Sequence, residues 1–220
     1  MLIRDVAAGR LADGAKLPPE RQMATDLGIA VGTLRKALAD LQDKGLLERV
    51  QGSGNYIRAR ADVPSIYGFF RLEKRDGGGL PLARVLSVSL QSKPAMAPVF
   101  GPHAEAHRIR RLRWLDDLLI AVEEIWLDAS HSEKITPADL SDSLYLYYRT
   151  ALGLQITAAE DRVGLADLPE WTPDQFHLPC GTKTGYIERI SRDSTGAPAE
   201  FSRTWYDPER AQYVSRIGKG

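Results

Sequence analysis

At 220 residues the chain has room for one large domain or two modest ones. With 43% hydrophobic and 26% charged residues it is neither disordered nor membrane-spanning, and a single cysteine, Cys180, excludes a disulfide framework and a cysteine-rich zinc module. The net charge of zero hides an asymmetry: residues 1–60 hold 10 Lys/Arg against 7 Asp/Glu, and the remainder 19 against 22. A basic end on a mildly acidic body brings a polyanion to that end, but three charges are a weak bias and motifs must decide.

The N-terminus, Met1-Leu2-Ile3-Arg4-Asp5, meets charge at once and has no apolar signal-peptide core, so a cytoplasmic protein without a membrane partner is expected. Ile3, Val6, Ala7 and Leu11 recur at helical spacing and predict an opening helix, which Ala12-Asp13-Gly14 breaks. In Leu17-Pro18-Pro19-Glu20-Arg21, Pro19 suits the first turn of a second helix and Glu20 complements its positive end. Met23, Ala24 and Leu27 give that helix one apolar face, and Gly28 is placed to end it with a left-handed cap. A third helix is predicted over residues 31–44, with Val31, Leu34, Leu38 and Leu41 on one stripe, Gly32, Thr33, Lys36 and Asp40 opposite, and Gly45 at its end. Two short helices joined by Gly28-Ile29-Ala30 fit a helix-turn-helix, although any three-helix bundle could show these spacings. Residues 46–50 and 55–58 then alternate like the strands of a hairpin, with Gln51-Gly52-Ser53-Gly54 between them.

Leu17-Pro18-Pro19-Glu20-Arg21, Thr33-Leu34-Arg35-Lys36-Ala37-Leu38, Gly45-Leu46-Leu47 and Gln51-Gly52-Ser53-Gly54, in this order and spacing, resemble the winged helix-turn-helix of GntR-family bacterial transcription factors. The resemblance implies that the third helix enters the major groove of duplex operator DNA while the wing tip reaches the minor groove. By position it makes Arg21, Thr33, Arg35, Gly52 and Gly54 the DNA contacts; Lys36 and Ser53 join them on predicted exposure. Arg21 and Arg35 suit phosphate or a guanine edge, and a glycine tip lets backbone N–H groups approach the sugar-phosphate chain. A surface salt bridge is the plainer reading of Arg35, and a solvated face that of Lys36. The chain departs from the family where the third helix begins: Ala30-Val31 replaces a Ser or Thr followed by a polar or basic residue. That removes a cap hydroxyl worth about 1 kcal/mol and a base-reading side chain.

Residues 58–65 are polar and proline-marked, as a boundary should be, giving domains at 1–60 and 66–220 with a linker at 61–65. Beyond them, strands are predicted at 84–90 and 108–115, the latter paired with 119–127 across Asp116-Asp117. Residues 141–152 read as a helix, 160–165 as a strand, and 185–192 with 199–206 as a hairpin around Ser194-Thr195-Gly196. Hairpins with few helices between them make a mostly antiparallel α+β layer. Gly77-Gly78-Gly79 reads as a mobile loop.

No catalytic constellation stands out. His103 and His107 have a spacing that could share a metal, but no third ligand accompanies them and a solvated helix face is the plainer reading. Gly181-Thr182-Lys183-Thr184 lacks the upstream glycine of a phosphate loop and reads as a turn. Cys180 reads as a structural thiol, and Trp114, Trp126, Trp171 and Trp205 as core or pocket wall. No metal or cofactor is expected.

Charged residues inside strand-forming segments are more telling. Arg111 and Arg113 point the same way on one strand, and Glu123 and Glu200 lie within largely apolar segments on two others. Buried charges must pair with each other or meet a ligand, and both readings stay open. Arg111-Leu112-Arg113, Ala121-Val122-Glu123, Ser143-Leu144-Tyr145 and Gly196-Ala197-Pro198-Ala199-Glu200 followed by Tyr206 are similar to the UTRA domain of the HutC subfamily. The resemblance implies a chorismate-lyase-like, mostly antiparallel sheet whose pocket binds a small effector. By position Arg111 and Arg113 would hold an anionic group, phosphate or carboxylate. Ser143 and Tyr145 would donate hydroxyls, while Glu123, Glu200 and Tyr206 would read hydroxyl or amino groups. Members that bind phosphosugars carry a Ser-Phe-Thr-like segment after the linker. Here Phe69-Phe70-Arg71 stands instead, which points to a carboxylated or more apolar ligand.

The expectation is therefore an effector-responsive DNA-binding homodimer, a repressor on a palindromic operator rather than an enzyme. Two rivals are a chorismate-lyase-type enzyme with an appended DNA-binding module, and a DNA-binding dimer without an effector.

Overall fold

Leu17, Met23, Ala24, Leu34, Leu38, Leu41 and Leu47 close into one apolar cluster, each at most 5% exposed, in a computed structural model that describes residues 16–26, 28–43, 47–57, 69–79, 81–140 and 142–216. Burying each leucine of this cluster contributes about 1.5–3 kcal/mol. The cluster belongs to the first of two units, Met1–Gly68 and Phe69–Gly220. Its described elements are α1 (Glu20–Asp26), α2 (Val31–Asp43), β1 (Leu47–Val50) and β2 (Gly54–Ile57). The predicted opening helix, Gly45 and the linker lie outside the described residues.

The helices end as their sequence dictates. The first bond of α1 runs from Met23 N–H to the Pro19 carbonyl, so Pro19 caps the helix instead of occupying its first turn. At the other end Gly28 takes φ +63°, its N–H reaches the Thr25 carbonyl and the Ile29 N–H reaches Ala24. This pair of bonds is a Schellman motif, which needs the left-handed conformation that glycine adopts without steric cost. β1 and β2 pair antiparallel, Leu47 opposite Ile57 and Val50 opposite Gly54, and Leu17 N–H adds a bond to Asn55 O at 2.8 Å.

The second unit is built on a six-stranded antiparallel sheet in the order β4-β5-β6-β9-β8-β7. Its strands are β4 (Pro81–Ser92), β5 (Glu105–Leu115), β6 (Leu118–Asp128), β7 (Ile156–Asp167), β8 (Lys183–Asp193) and β9 (Pro198–Tyr206). A helix, α3 (Leu144–Ala151), lies on one face, where Leu144 and Tyr148 pack against Ile109, Ile125 and Leu127. The opposite face carries Leu112, Val122 and Trp205 under Leu168 and Phe176. Two short strands, β3 (Leu72–Lys74) and β10 (Ala211–Tyr213), pair antiparallel apart from the main sheet. Asp116 turns β5 into β6 with φ +55°, a conformation that aspartate tolerates better than most residues.

Register makes the site-bearing face. Arg111 lies opposite Glu123, Glu123 opposite Thr204, and Thr204 opposite Ile187; a neighbouring row joins Ser202 to Arg189 and Arg189 to Asp161. Side chains alternate across a strand, so Arg111, Arg113, Glu123, Arg189 and Glu200 share the face that α3 covers.

Two local expectations are corrected. His103 and His107 do not sit on a helix: His107 lies in β5, 2% exposed, its ring Nε2 2.7 Å from the Ser132 carbonyl. The polar run up to residue 107 looks helical by itself, but pairing with β4 and β6 extends the strand back to Glu105. Nor is Gly77-Gly78-Gly79 a free loop: Lys74 and Gly78 close a hydrogen-bonded turn, and a Cβ on Gly79 would come within 2.7 Å of Leu115. Among the described residues no helix is long and apolar enough to cross a membrane, and no group of three or more His, Cys, Asp or Glu could hold a metal.

Candidate nucleic-acid interface and ligand site

The first unit presents exposed polar groups from three elements. Thr33, Arg35 and Lys36 are exposed on the side of α2 away from Leu34, Leu38 and Leu41, and Arg21 is exposed on α1. The hairpin tip is formed by Gly52 and Gly54, at φ +77° and +126°, with Ser53 N–H bonded to the Val50 carbonyl. A Cβ on Gly52 would meet nothing within 4 Å, so the glycine there serves backbone conformation and leaves open space over the tip. Ser53 is less free than its sequence suggests, because its Oγ lies 2.6 Å from Tyr56 Oη.

Arg35 does not stand alone. Its Nε donates to Glu20 Oε2 at 2.7 Å, and Arg49 Nη2 donates to Glu20 Oε1 at 3.3 Å. The hydrogen bond from Arg35, with the charges of Arg35 and Arg49, holds the Glu20 carboxyl below its ordinary range. Glu20 thus joins a residue of α1 to one of α2 and one of β1. Both arginines remain more than 60% exposed, and exposed pairs of this kind contribute about 0.2–1 kcal/mol, so the bond orients them more than it stabilises the fold. Arg49 was not singled out from the sequence; a basic residue on the strand entering a glycine tip was the available signal.

In the second unit Arg111 and Arg113 converge on Glu123. Arg111 Nη2 donates to Glu123 Oε2 at 2.7 Å, and Arg113 Nε lies 3.7 Å from the same oxygen. Both guanidiniums also donate to the Asp142 carbonyl, at 3.4 and 2.9 Å, just before α3. Ser143 caps that helix, its Oγ accepting from Leu146 N–H at 3.3 Å. A second cluster surrounds Glu200. Tyr148 Oη donates to its Oε2 at 2.7 Å, while Tyr145 Oη and Ser191 Oγ reach its Oε1 at 3.1 and 2.9 Å. Tyr206 is also buried, its ring packed over Gly185 so closely that a Cβ there would come within 2.2 Å of Cζ.

Of the seven sequence-derived residues, then, Arg111, Arg113 and Glu123 form one cluster and Tyr145 and Glu200 another. Ser143 stands beside the first through Asp142, and Tyr206 lies directly opposite Ala121, the partner of Arg113. Sequence reasoning missed Arg189, Asp161, Tyr148 and Ser191. Arg189 makes two bonds to Asp161, at 2.5 and 2.7 Å, and Tyr213 Oη donates to the same carboxylate. Tyr148 could have been found from its i+3 spacing to Tyr145, and Arg189 and Ser191 from their alternation with Ile187 along one strand face.

The Phe69-Phe70 segment closes on both clusters. Phe69 meets Tyr145 edge to face, centroids 5.6 Å apart, and the Arg113 guanidinium lies 4.6 Å from the Phe70 ring centroid. Both contacts set an aromatic ring against a residue of the candidate ligand face.

Two buried carboxyls on this face are pushed in opposite directions. Burial would raise Glu123, but the Arg113 and Arg111 charges outweigh it and hold the group below the ordinary value. Burial raises Glu200 above the usual 4.5, and the hydrogen bonds from Tyr148, Ser191 and Tyr145 only partly offset it. The stability linked to Glu200 is therefore complete below 4.5 and lost as pH rises through its higher folded value. Glutamine keeps the shape and stays neutral. The unfolding free energy of Glu200→Gln, measured in urea, should accordingly gain on that of the unsubstituted protein as pH rises above 4.5. A difference that stays flat or shrinks with pH contradicts this.

Similarity to known proteins agrees with the geometry. Residues 78–212 match the UTRA domain family, and residues 1–57 match the family described as bacterial regulatory proteins, gntR family. The chain is 59% identical over 217 residues to the HTH-type transcriptional regulator SmoD of Agrobacterium fabrum, covering 99% of this chain and 93% of the relative. It is 23% identical over 211 residues to the HTH-type transcriptional repressor NagR of Bacillus subtilis, covering 94% and 87%. Among solved structures, the possible transcriptional regulator YydK from Bacillus subtilis superposes with a TM-score of 0.57 at 21% identity, covering 99% of this chain and 100% of that one. PhnF from Mycobacterium smegmatis gives 0.54 at 18%, covering 98% and 97%. At these identities the two structures establish a shared fold.

Proposed function

The chain belongs to the GntR family of bacterial regulatory proteins, in its UTRA-containing HutC-type subfamily, and from that premise we propose that it is a repressor released from a palindromic operator by a small anionic metabolite. It is a transcriptional regulator and not an enzyme. In this reading Arg21, Thr33, Arg35, Lys36 and the tip Gly52-Ser53-Gly54 contact the operator. Arg111, Arg113, Glu123, Ser143, Tyr145, Glu200 and Tyr206 receive the effector. Two chains pair through their second units to match two half-sites.

One observation carries the anionic effector: Arg111 Nε is buried and makes no hydrogen bond within the protein. Buried N–H groups are nearly always satisfied. Arg108 and Arg203 carry a similar unpaired Nε on the opposite sheet face, and the Arg111 donor is set apart by the second guanidinium, carboxyls and hydroxyls gathered on its own face. Charge supports the same reading. Arg111, Arg113 and Arg189 face two carboxyls held in the ionised form, Glu123 and Asp161, while Glu200 is pushed toward its neutral form. Phe69 and Phe70 favour a ligand with some apolar surface over a phosphosugar.

Release follows if the effector prefers an arrangement of the two units that cannot grip DNA, since a ligand shifts an equilibrium only by its differential affinity. The test is a thermal-shift screen of the full chain against carboxylated, phosphorylated and neutral metabolites. A ligand that binds only the folded state raises the melting temperature. Stabilisation by carboxylates and not by their amides or esters is expected. Stabilisation by none of the three classes would favour a DNA-binding dimer without an effector.

A further inference from the structure

We infer that the leading turn of α2 reads thymine in its operator through the 5-methyl group, which Ala30 and the methyl of Thr33 contact. The inference rests on the DNA-binding reading above and specifies the chemistry of the site it recognises. The Ala30 carbonyl accepts from Thr33 N–H at 3.0 Å and from Leu34 N–H at 3.1 Å, so Ala30 is the cap residue, and its exposed side chain is a methyl. Val31 is partly buried against the apolar cluster. Gly32 is exposed, and a Cβ there would meet nothing within 4 Å. Thr33 is exposed and brings one hydroxyl and one methyl. From Ile29, itself 38% exposed, to Leu34, the helix start offers no charged or amide side chain; the first is Arg35.

In a helix-turn-helix these leading residues of the second helix are the ones that meet base edges. The three other bases are read there by complementary polar groups: guanine by Arg or Lys, adenine by Asn or Gln, cytosine by an acidic acceptor. None of those side chains is available in this turn. Thymine alone presents an apolar feature in the major groove, and small apolar side chains are what recognise it. Gly32 adds to this, because a backbone without Cβ can approach the base edges more closely.

The experiment begins by selecting binding sites for the full chain from a randomised duplex library. Each thymine of a selected site is then replaced singly by uracil, which removes the methyl and nothing else. One or two thymines per half-site should respond with about fourfold weaker binding, the worth of one buried methyl-sized group. At those positions the uracil penalty should fall below about twofold in Ala30→Gly or Thr33→Ser. Glycine is a tolerated cap, and serine keeps the hydroxyl, so both variants fold. Selected sites in which no thymine responds to uracil, or responses unchanged in both variants, overturn the inference. Failure to select any duplex overturns the DNA-binding reading itself and this inference with it.

Discussion

Arg113→Ala should give a folded protein that still binds its operator but no longer answers its effector. Losing a guanidinium that holds an anion through charge-assisted bonds should weaken effector binding by about 100-fold. The fold survives because Glu123 keeps its shorter partner: Arg111 lies at 2.7 Å and Arg113 at 3.7 Å. Glu123→Ala is the contrasting variant. It leaves two buried guanidiniums facing each other without a carboxylate, and stranding a buried charge costs about 3–5 kcal/mol. Urea denaturation of both variants, with titration of the ligand found by thermal shift, separates the roles. If Arg113→Ala destabilises as far as Glu123→Ala, Arg113 belongs to an internal charge network and the anion reading of that residue fails.

On the DNA side, Arg35→Ala should weaken operator binding by about 1–3 kcal/mol, some five- to 150-fold, if the guanidinium forks onto a guanine edge. If it meets phosphate instead, the loss should be uniform across sequences and the salt slope should fall by about one. The ion pair with Glu20 adds a second arm. Glu20→Gln removes a negative charge that orients Arg35 and Arg49 and also repels phosphate. That variant should bind random duplex more tightly and discriminate less between operator and random DNA. Unchanged titrations for Arg35→Ala would remove the residue from the interface and leave it as a surface ion pair.

The fold was legible wherever local chemistry and tertiary context agree. Gly28 ends α1 because the left-handed cap is a local requirement, and β5 and β6 are visible because alternation and the Asp116-Asp117 turn specify the hairpin on their own. His107 was misread because its strand is set by pairing with distant segments, which periodicity over a few residues does not record. The short strands β3 and β10 were invisible for the same reason: three residues carry no period, and their partners lie about 140 positions away.

On the candidate ligand face, Arg111, Arg113, Glu123 and Glu200 drew attention as charges inside strand-forming segments. Arg189 and Asp161 sit in strands rich in other charges, Glu160, Arg162, Glu188 and Arg192, and only register shows that these two face inward together. The contact of Phe69 with Tyr145 joins residues 76 positions apart. Its sequence signature was indirect: Phe69-Phe70-Arg71 where the resemblance gave a Ser-Phe-Thr-like segment.

The account turns on coupling between the two units, and one titration tests it most directly. Binding of a selected operator duplex to the full chain is followed by fluorescence anisotropy with and without a saturating carboxylate from the thermal-shift screen. The account predicts at least about tenfold weaker DNA binding when the ligand is present, and by linkage the same factor in ligand affinity when DNA is present. A ligand that occupies the Arg111–Arg113 face while operator affinity stays unchanged would contradict it.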